Sequence, residues 1–235
     1  PADEAVGECW KKNDIKVDGG SPPPFLTFEA ASLPGPVMDA VNASGFTAPS
    51  TIQSQTWPAA MAKRDVIGVA KTGSGKTLCF ALPAMVHIVA QEHLRPGDGP
   101  VAVMLAPTRE LAQQIHDEGR ALARAFGCQT VCAFGGQRQE QQEREILRLG
   151  GRLDLVVGTP GRMADLMRDQ TLRMGNATFL VLDEADRMLD MGFEPQLREI
   201  ADELPPPADR LEAGSRGPSR QTLMFSATWP EEARA

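Results

Sequence analysis

One short stretch of the sequence has the residue types and the spacing of a phosphate-binding loop. It reads AKTGSGKT, runs from Ala70 to Thr77, and follows the apolar run VIGV. In loops of the pattern G-x-x-x-x-G-K-[ST], backbone N–H groups point at the phosphates, the lysine reaches the β- and γ-phosphates and the hydroxyl binds Mg²⁺. Gly75, Lys76 and Thr77 fit these roles, whereas Ala70 stands where the general pattern has glycine. A predicted strand before the loop and a predicted helix after it favour this interpretation over a glycine-rich turn with an incidental lysine.

A pair of acidic residues could complete such a site. Asp183 and Glu184 follow the apolar run FLVL, so they are predicted at the C-terminal end of a buried strand. A nucleotide triphosphatase needs a carboxylate there to hold Mg²⁺. A second acid at the same place can orient and deprotonate the attacking water. Capping of the next helix would explain Asp183 alone, but the phosphate loop makes a joint catalytic role the stronger hypothesis.

The elements that must position these residues alternate along the chain. Short apolar runs predict strands at 66–70, 101–106, 129–134, 155–158, 179–183 and 222–226. Helical patterns occupy a short segment that stops at Gly45 and then 52–61, 76–90, 109–126, 138–149, 162–167 and 195–204. Such alternation predicts an α/β fold with a central, mostly parallel sheet that is buried on both faces by helices.

Composition limits the remaining choices. The chain has 235 residues, 42% of them hydrophobic, which suits one large α/β domain, and no apolar run is long enough to span a membrane. The net charge of −7 argues against a blanket of positive potential, so any nucleic-acid site must be local. Residues 1–27 are predicted to be an irregular leader on the domain surface, and 205–220 a loop.

Seven ordered motifs carry a resemblance to a known family. The chain is similar to the N-terminal RecA-like domain of DEAD-box RNA helicases, with the closest wording in the p68-type subgroup. The resemblance covers about residues 28–228 and places the domain at 28–235. It rests on the isolated aromatic Phe28 and on GFTAPSTIQ (45–53, Q motif), AKTGSGKT (70–77, motif I), PTRELAQQ (107–114, motif Ia), GG (135–136), TPGR (159–162, motif Ib), DEAD (183–186, motif II) and SAT (226–228, motif III).

The resemblance implies ATP and Mg²⁺ as ligands. Gln53 would read the adenine edge while Phe46 packs against the base. Glu184 would be the catalytic base, and Asp183 would hold the metal mainly through water. Lys76 would also be catalytic, and Thr77 would also be a metal ligand. Together with these two residues, the other implied nucleotide contacts form one continuous segment: Ala70, Lys71, Thr72, Gly73, Ser74, Gly75, Lys76 and Thr77.

RNA is the implied macromolecular partner. Thr108 and Thr159 each stand just before a helical pattern, where hydroxyl and N–H groups can hold phosphates, although plain N-capping would place a threonine there equally well. Such contacts read sugar and phosphate, so binding is expected to be independent of base sequence. The resemblance adds Pro107, Arg109, Gly136, Pro160, Gly161 and Arg162 to this surface. It also implies that Ser226 and Thr228 couple the nucleotide state to RNA through hydrogen bonds with Asp186.

The implied function is ATP-dependent RNA unwinding. The family's second RecA-like domain, with its arginine fingers, is expected outside these residues, so this domain by itself should be nearly inactive. An ATP-gated RNA clamp with hydrolysis as a release step is the alternative, and a DNA helicase or translocase is a third hypothesis that GFTAPSTIQ and DEAD disfavour. A monomeric, intracellular protein without a membrane segment is expected, and the subgroup resemblance favours the nucleus.

Overall fold

The computed structural model describes residues 2–13, 15–17, 20–43, 47–70, 75–92, 94–95, 97–149, 152–210 and 218–228. Within these residues lies a six-stranded sheet in which every neighbouring pair of strands is parallel. The order across the sheet is β1-β6-β5-β2-β4-β3. The strands are β1 (Val66–Val69), β2 (Ala102–Leu105), β3 (Thr130–Ala133), β4 (Leu155–Gly158), β5 (Phe179–Leu182) and β6 (Gln221–Ser226). The predicted α/β fold with a central parallel sheet is confirmed.

Helices connect the strands and cover the sheet. They are α1 (Ala2–Lys12), α2 (Gly35–Ala43), α3 (Thr51–Met61), α4 (Lys76–Val89), α5 (Arg109–Phe126), α6 (Gln139–Arg148), α7 (Pro160–Arg168), α8 (Ala185–Asp190) and α9 (Glu194–Glu203). Each predicted strand agrees with the observed one within a residue at either end. Helix α7 begins earlier than predicted because Pro160, with its fixed φ, suits the first turn of a helix. The six-residue α8 was not predicted as a separate helix.

Alternate residues of the strands face two separate cores. Met104 of β2 belongs to the core on one face, whereas its neighbours Val103 and Leu105 belong to the core on the other. Helices α2, α3, α4 and α5 contribute to the first core, and α6, α7, α8 and α9 to the second. The two-residue period of the strands therefore places helices on both faces, as predicted.

The edge strand β1 departs from the prediction that both faces of the sheet are buried. Ile67 and Val69 are 57% and 50% exposed. Gly68 points the other way, and a Cβ at this position would lie 2.7 Å from the Phe225 ring, so the strand can approach the core only with glycine there. The prediction is wrong for β1 because β1 lies at the edge of the sheet, where its outer face stays half open.

The prediction of an irregular leader is also wrong, because residues 2–12 form helix α1. Between Val6 and Lys12, its partly buried positions are Val6, Cys9 and Trp10, which share one helical face. The Trp10 Nε1 donates a hydrogen bond of 2.7 Å to Gln55 Oε1 on α3. Two lysines in the last turn, Lys11 and Lys12, suit the negative end of the helix dipole. Helix α1 therefore docks on α3, the helix that carries part of the Q motif.

Two other predictions concern loops. The loop predicted at 205–220 contains a 3₁₀ turn (Ala208–Arg210) and a bridge between Pro207 and Arg220, and residues 211–217 lie outside the described part. The predicted helix stop at Gly45 also lies outside the described residues. Among the described helices, none has the length and apolar character needed to cross a membrane.

Candidate functional site

Apart from the Q-motif residues and Ser226, which ends β6, the predicted site residues follow the C-terminal ends of the strands, which all meet at one edge of a parallel sheet. The phosphate loop follows β1, the acidic pair follows β5, and Thr228 follows β6. Thr108, Gly136 and Thr159 follow β2, β3 and β4. Because the strand order is β1-β6-β5-β2-β4-β3, the edge divides into two halves. The predicted nucleotide and coupling residues lie at the ends of β1, β6 and β5. The predicted RNA-facing residues lie at the ends of β2, β4 and β3.

Lys76 and Asp183 face each other at the centre of the first half. Lys76 Nζ lies 4.0 Å from Asp183 Oδ1, and both side chains are less than 10% exposed. The Lys76 Nζ makes no hydrogen bond to any residue that the structure describes. A buried ammonium group without hydrogen-bond acceptors is costly, and an anion such as a phosphate oxygen would supply them. Lys76 begins α4, where N–H groups at the helix N-terminus favour the same ligand.

The acidic pair has two different environments. Burial raises the pKa of Asp183 to about 6, and the negative charge of Glu184 adds to this, while the charge of Lys76 opposes it. Glu184 caps α8 in the left-handed region with φ of 52°, a conformation that non-glycine residues adopt at a cost. Its Oε2 accepts a hydrogen bond of 3.1 Å from Arg187 Nη1. Arg187, which no sequence motif singled out, therefore contacts the predicted base.

Gln53 connects the Q motif to the phosphate loop. The side chain is 3% exposed. Its Oε1 accepts from the Ser50 N–H at 2.9 Å, and its Nε2 donates to the Gly75 carbonyl at 3.1 Å. Gly75 has φ of +80°, and a Cβ there would lie 2.9 Å from Gln53 Nε2, so glycine is required for both reasons. A primary amide has two donors and two lone pairs, which leaves one of each for an adenine edge.

In the second half of the edge, Thr108 and Arg109 begin α5. The Thr108 Oγ1 accepts from the Leu111 N–H at 3.3 Å, so the capping alternative for this threonine is realised in the structure. The Arg109 guanidinium lies 5.5 Å from the centre of the Phe134 ring. A Cβ added to Gly136 would lie 3.6 Å from Arg109 Nη1, so the glycine turn and this arginine are neighbours.

Thr159 and Arg162 begin α7 beside the same turn. Thr159 caps the helix, but its hydroxyl makes no capping hydrogen bond within the described part of the chain. Arg162 Nη1 donates to Gln142 Oε1 at 2.8 Å, and its Nη2 donates to the Gln137 carbonyl at 3.0 Å. Pro160 is buried and Gly161 partly exposed, and Pro107 is buried at the end of β2.

The predicted coupling residues contact one another. Thr228 Oγ1 donates to Asp186 Oδ2 at 2.8 Å. The hydroxyl of Ser226, which is fully buried, donates to the Thr228 carbonyl. These bonds join the end of β6 to the first turn of α8, which directly follows Glu184.

Some predicted residues cannot be placed in this way. Phe46, Lys71, Thr72, Gly73 and Ser74 lie outside the described residues, so their roles stay predictions. Ala70 is described, and its N–H donates to the Ser226 carbonyl at 3.1 Å. Thr77 lies in the first turn of α4 and is partly exposed. Gln142 was missed, although the GG (135–136) and TPGR (159–162) motifs flank it, because it lies in the polar segment QEQQEREI, where one glutamine looks like another.

The first strand of the parallel sheet leads into a helix that begins at the sequence Gly-Lys-Thr, and an acidic residue at the end of another strand faces this lysine. This arrangement defines a RecA-like P-loop domain. The sequence profile of the DEAD/DEAH box helicase family matches residues 50–235. The chain belongs to the DEAD/DEAH box helicase family.

Curated relatives and solved structures agree with this assignment. The ATP-dependent RNA helicase DBP2 of Gibberella zeae is 47% identical over 235 residues, which cover 100% of this chain and 40% of the relative. The dbp2 protein of Schizosaccharomyces pombe is 46% identical over 232 residues, 98% of this chain and 40% of the relative. The chain thus spans about 40% of the length of these curated relatives.

Two solved helicase structures have the same fold. The RNA helicase Prp28 from Chaetomium thermophilum, bound to ADP, has a TM-score of 0.76 and 38% identity over 92% of this chain and 49% of that chain. The yeast DEAD-box splicing factor Prp28 has a TM-score of 0.84 and 31% identity over 98% of this chain and 52% of that chain.

Proposed function

We propose that these residues form the ATP-binding domain of an ATP-dependent RNA helicase. The observation that carries the proposal is the divided sheet edge, with predicted nucleotide and coupling residues at the ends of β1, β6 and β5 and predicted RNA-facing residues at the ends of β2, β4 and β3. The name of the curated DBP2 relatives supports the activity. A second RecA-like domain would complete both sites, and it is supported by the half-length coverage of the two Prp28 chains.

ATP would bind with its phosphates at the start of α4. Lys76 would neutralise the outer phosphates, and the N–H groups of the loop would hold them. Glu184 would orient the attacking water and accept its proton, while Arg187 keeps that carboxylate in place. An arginine finger from the second domain would stabilise the transition state.

Mg²⁺ fits the side chains on this edge. The carboxylate of Asp183 and the hydroxyl of Thr77 are oxygen ligands, which Mg²⁺ prefers, and Mg²⁺ usually keeps several waters. The ion would neutralise charge that develops on the phosphates. Asp183 is almost fully buried, and its Oδ1 accepts from the Glu184 N–H at 3.0 Å, which orients the carboxylate for the ion.

RNA would lie across the second half of the edge. Arg109 and Arg162, together with helix N-termini at Thr108 and Thr159, offer cationic and N–H donors to successive phosphates. Asp186 and Thr228 would transmit the nucleotide state, because their hydrogen bond joins β6 to the helix that follows Glu184. Because the proposed contacts are to RNA phosphates, binding should show no preference for base sequence.

The adenine assignment leads to a test on Gln53. Replacing Gln53 with alanine in the full-length protein should weaken ATP binding about tenfold and weaken GTP binding less, because a buried hydrogen-bonding group to the base is lost. Titration calorimetry with both nucleotides measures the ratio. Gln55→Ala is the matched control, since Gln55 lies on the same helix but bonds Trp10, Ser21 and Pro22 instead of the loop. An unchanged ratio of ATP to GTP affinity in Gln53→Ala would remove Gln53 from base recognition.

A further inference from the structure

Gln142 of α6 is a polar side chain with no exposed surface. Its Nε2 donates to the Phe134 carbonyl at 3.0 Å and to Gln137 Oε1 at 2.9 Å. Its Oε1 accepts from Arg162 Nη1 at 2.8 Å. Phe134 and Gln137 flank the glycine turn 135–136. One buried amide thus joins both sides of this turn to the guanidinium group at the start of α7.

These hydrogen bonds fix the direction of Arg162. Two different guanidinium nitrogens each donate a hydrogen bond, Nη1 to Gln142 Oε1 and Nη2 to the Gln137 carbonyl. The Nε of Arg162 is buried and makes no hydrogen bond to a residue that the structure describes. A guanidinium group binds phosphate best through two parallel N–H groups, and one that is already ordered loses less side-chain entropy on binding.

The same amide also supports the second arginine. Gln142 holds the Phe134 carbonyl, and the Phe134 ring lies under the Arg109 guanidinium at 5.5 Å. Gly136 follows in the left-handed region, with φ of 87°. The two arginines and the glycine turn therefore share one buried support.

We propose that Gln142 is a positioning residue for the RNA backbone. It holds Arg162, and through Phe134 the glycine turn and Arg109, in the arrangement that binds consecutive phosphates of a single strand. The inference rests on the proposed RNA function, and it assigns the support of that surface to a residue that would not itself touch RNA.

The test compares variants of the full-length protein for binding to a fluorescent single-stranded RNA at several salt concentrations, with a non-hydrolysable ATP analogue present. Gln142→Met keeps the length of the side chain but removes its hydrogen bonds. Gln142→Asn shortens the amide by one methylene and is the second variant in case the first does not fold. Gln141→Met is the control, because Gln141 is an exposed neighbour on α6. Arg162→Ala and the Gln142→Met/Arg162→Ala pair complete the set, and ATP affinity without RNA is measured for each.

Gln142→Met, or Gln142→Asn in its place, should weaken RNA binding about tenfold, because the lost hydrogen bond involves a charged group. ATP affinity measured without RNA should stay unchanged. The slope of log affinity against log salt should fall by about 0.7, as expected for one lost phosphate contact on a single strand. Arg162→Ala should change the slope by the same amount. The double variant should be weaker than Arg162→Ala alone by less than the full effect of Gln142→Met, because the two changes share the contact made by Arg162.

Four results would overturn the inference. Additive effects in the double variant, or weaker RNA and ATP binding with an unchanged salt slope, would reduce Gln142 to a general role in stability. Normal RNA binding by both Gln142 variants, with Arg162→Ala impaired, would contradict the inference and leave the proposed function standing. Normal RNA binding by Arg162→Ala would contradict the proposed RNA surface, and the inference with it.

Discussion

Replacing Glu184 with glutamine in the full-length protein is expected to stop ATP turnover and leave ATP binding intact. Glutamine keeps the size of the side chain but cannot accept a proton from the attacking water. Loss of a general base costs about 10²–10⁴-fold in rate. Binding should survive because the proposed phosphate ligands are Lys76 and the N–H groups at the start of α4, not Glu184. Steady-state hydrolysis with saturating RNA gives the turnover number, and titration with an ATP analogue gives the affinity.

The control for this variant is Glu194→Gln. Glu194 also pairs with an arginine on its own helix, at 2.7 Å from Arg198, but it lies on α9. Its substitution should leave turnover unchanged. Hydrolysis at the normal rate by Glu184→Gln would contradict the general-base role and send the search for the base to another residue.

Lys76→Ala in the full-length protein is expected to abolish nucleotide binding almost completely. The Nζ of Lys76 is buried without a hydrogen-bond acceptor among the described residues, so we expect the nucleotide phosphates to supply its ligands. Two charge-assisted hydrogen bonds of about 1.5–3 kcal/mol each correspond to a loss of roughly 10²–10⁴ in affinity. The measurement is equilibrium titration with a fluorescent ATP analogue.

Lys12→Ala serves as its control, because Lys12 is an exposed lysine at the end of α1. Thermal unfolding of both variants without nucleotide shows whether the domain stays folded. A folded Lys76→Ala protein that binds ATP with unchanged affinity would contradict the assignment of the phosphate loop.

Much of the fold could be predicted because its signals are local. The apolar runs VIGV and FLVL, each followed by a motif, place Lys76 and Asp183 after two strands of a parallel sheet. The strand order was not predicted, because it depends on how each helical connection crosses the sheet, which no local pattern encodes. The division of the edge into a predicted nucleotide half and a predicted RNA half follows from that order. The exposed face of β1, with Ile67 and Val69, has the same origin.

The residues that were missed have weak local signals. Among the α1 positions whose burial is described, Val6, Cys9 and Trp10 form the apolar face, and the helix contains Gly7, so docking on α3 stabilises a helix that its sequence barely predicts. Gln142 looks like a solvated helix residue, and only the tertiary contacts with Phe134 and Arg162 reveal it.

ATP hydrolysis by the full-length protein, measured with single-stranded RNA, with DNA of the same sequence and without nucleic acid, tests most directly whether the two halves of the edge work together. RNA should stimulate hydrolysis strongly and DNA should not, because a surface that reads sugar and phosphate can recognise the 2′-hydroxyl. Equal stimulation by DNA, or hydrolysis at the same rate without any nucleic acid, would contradict an RNA-coupled ATPase.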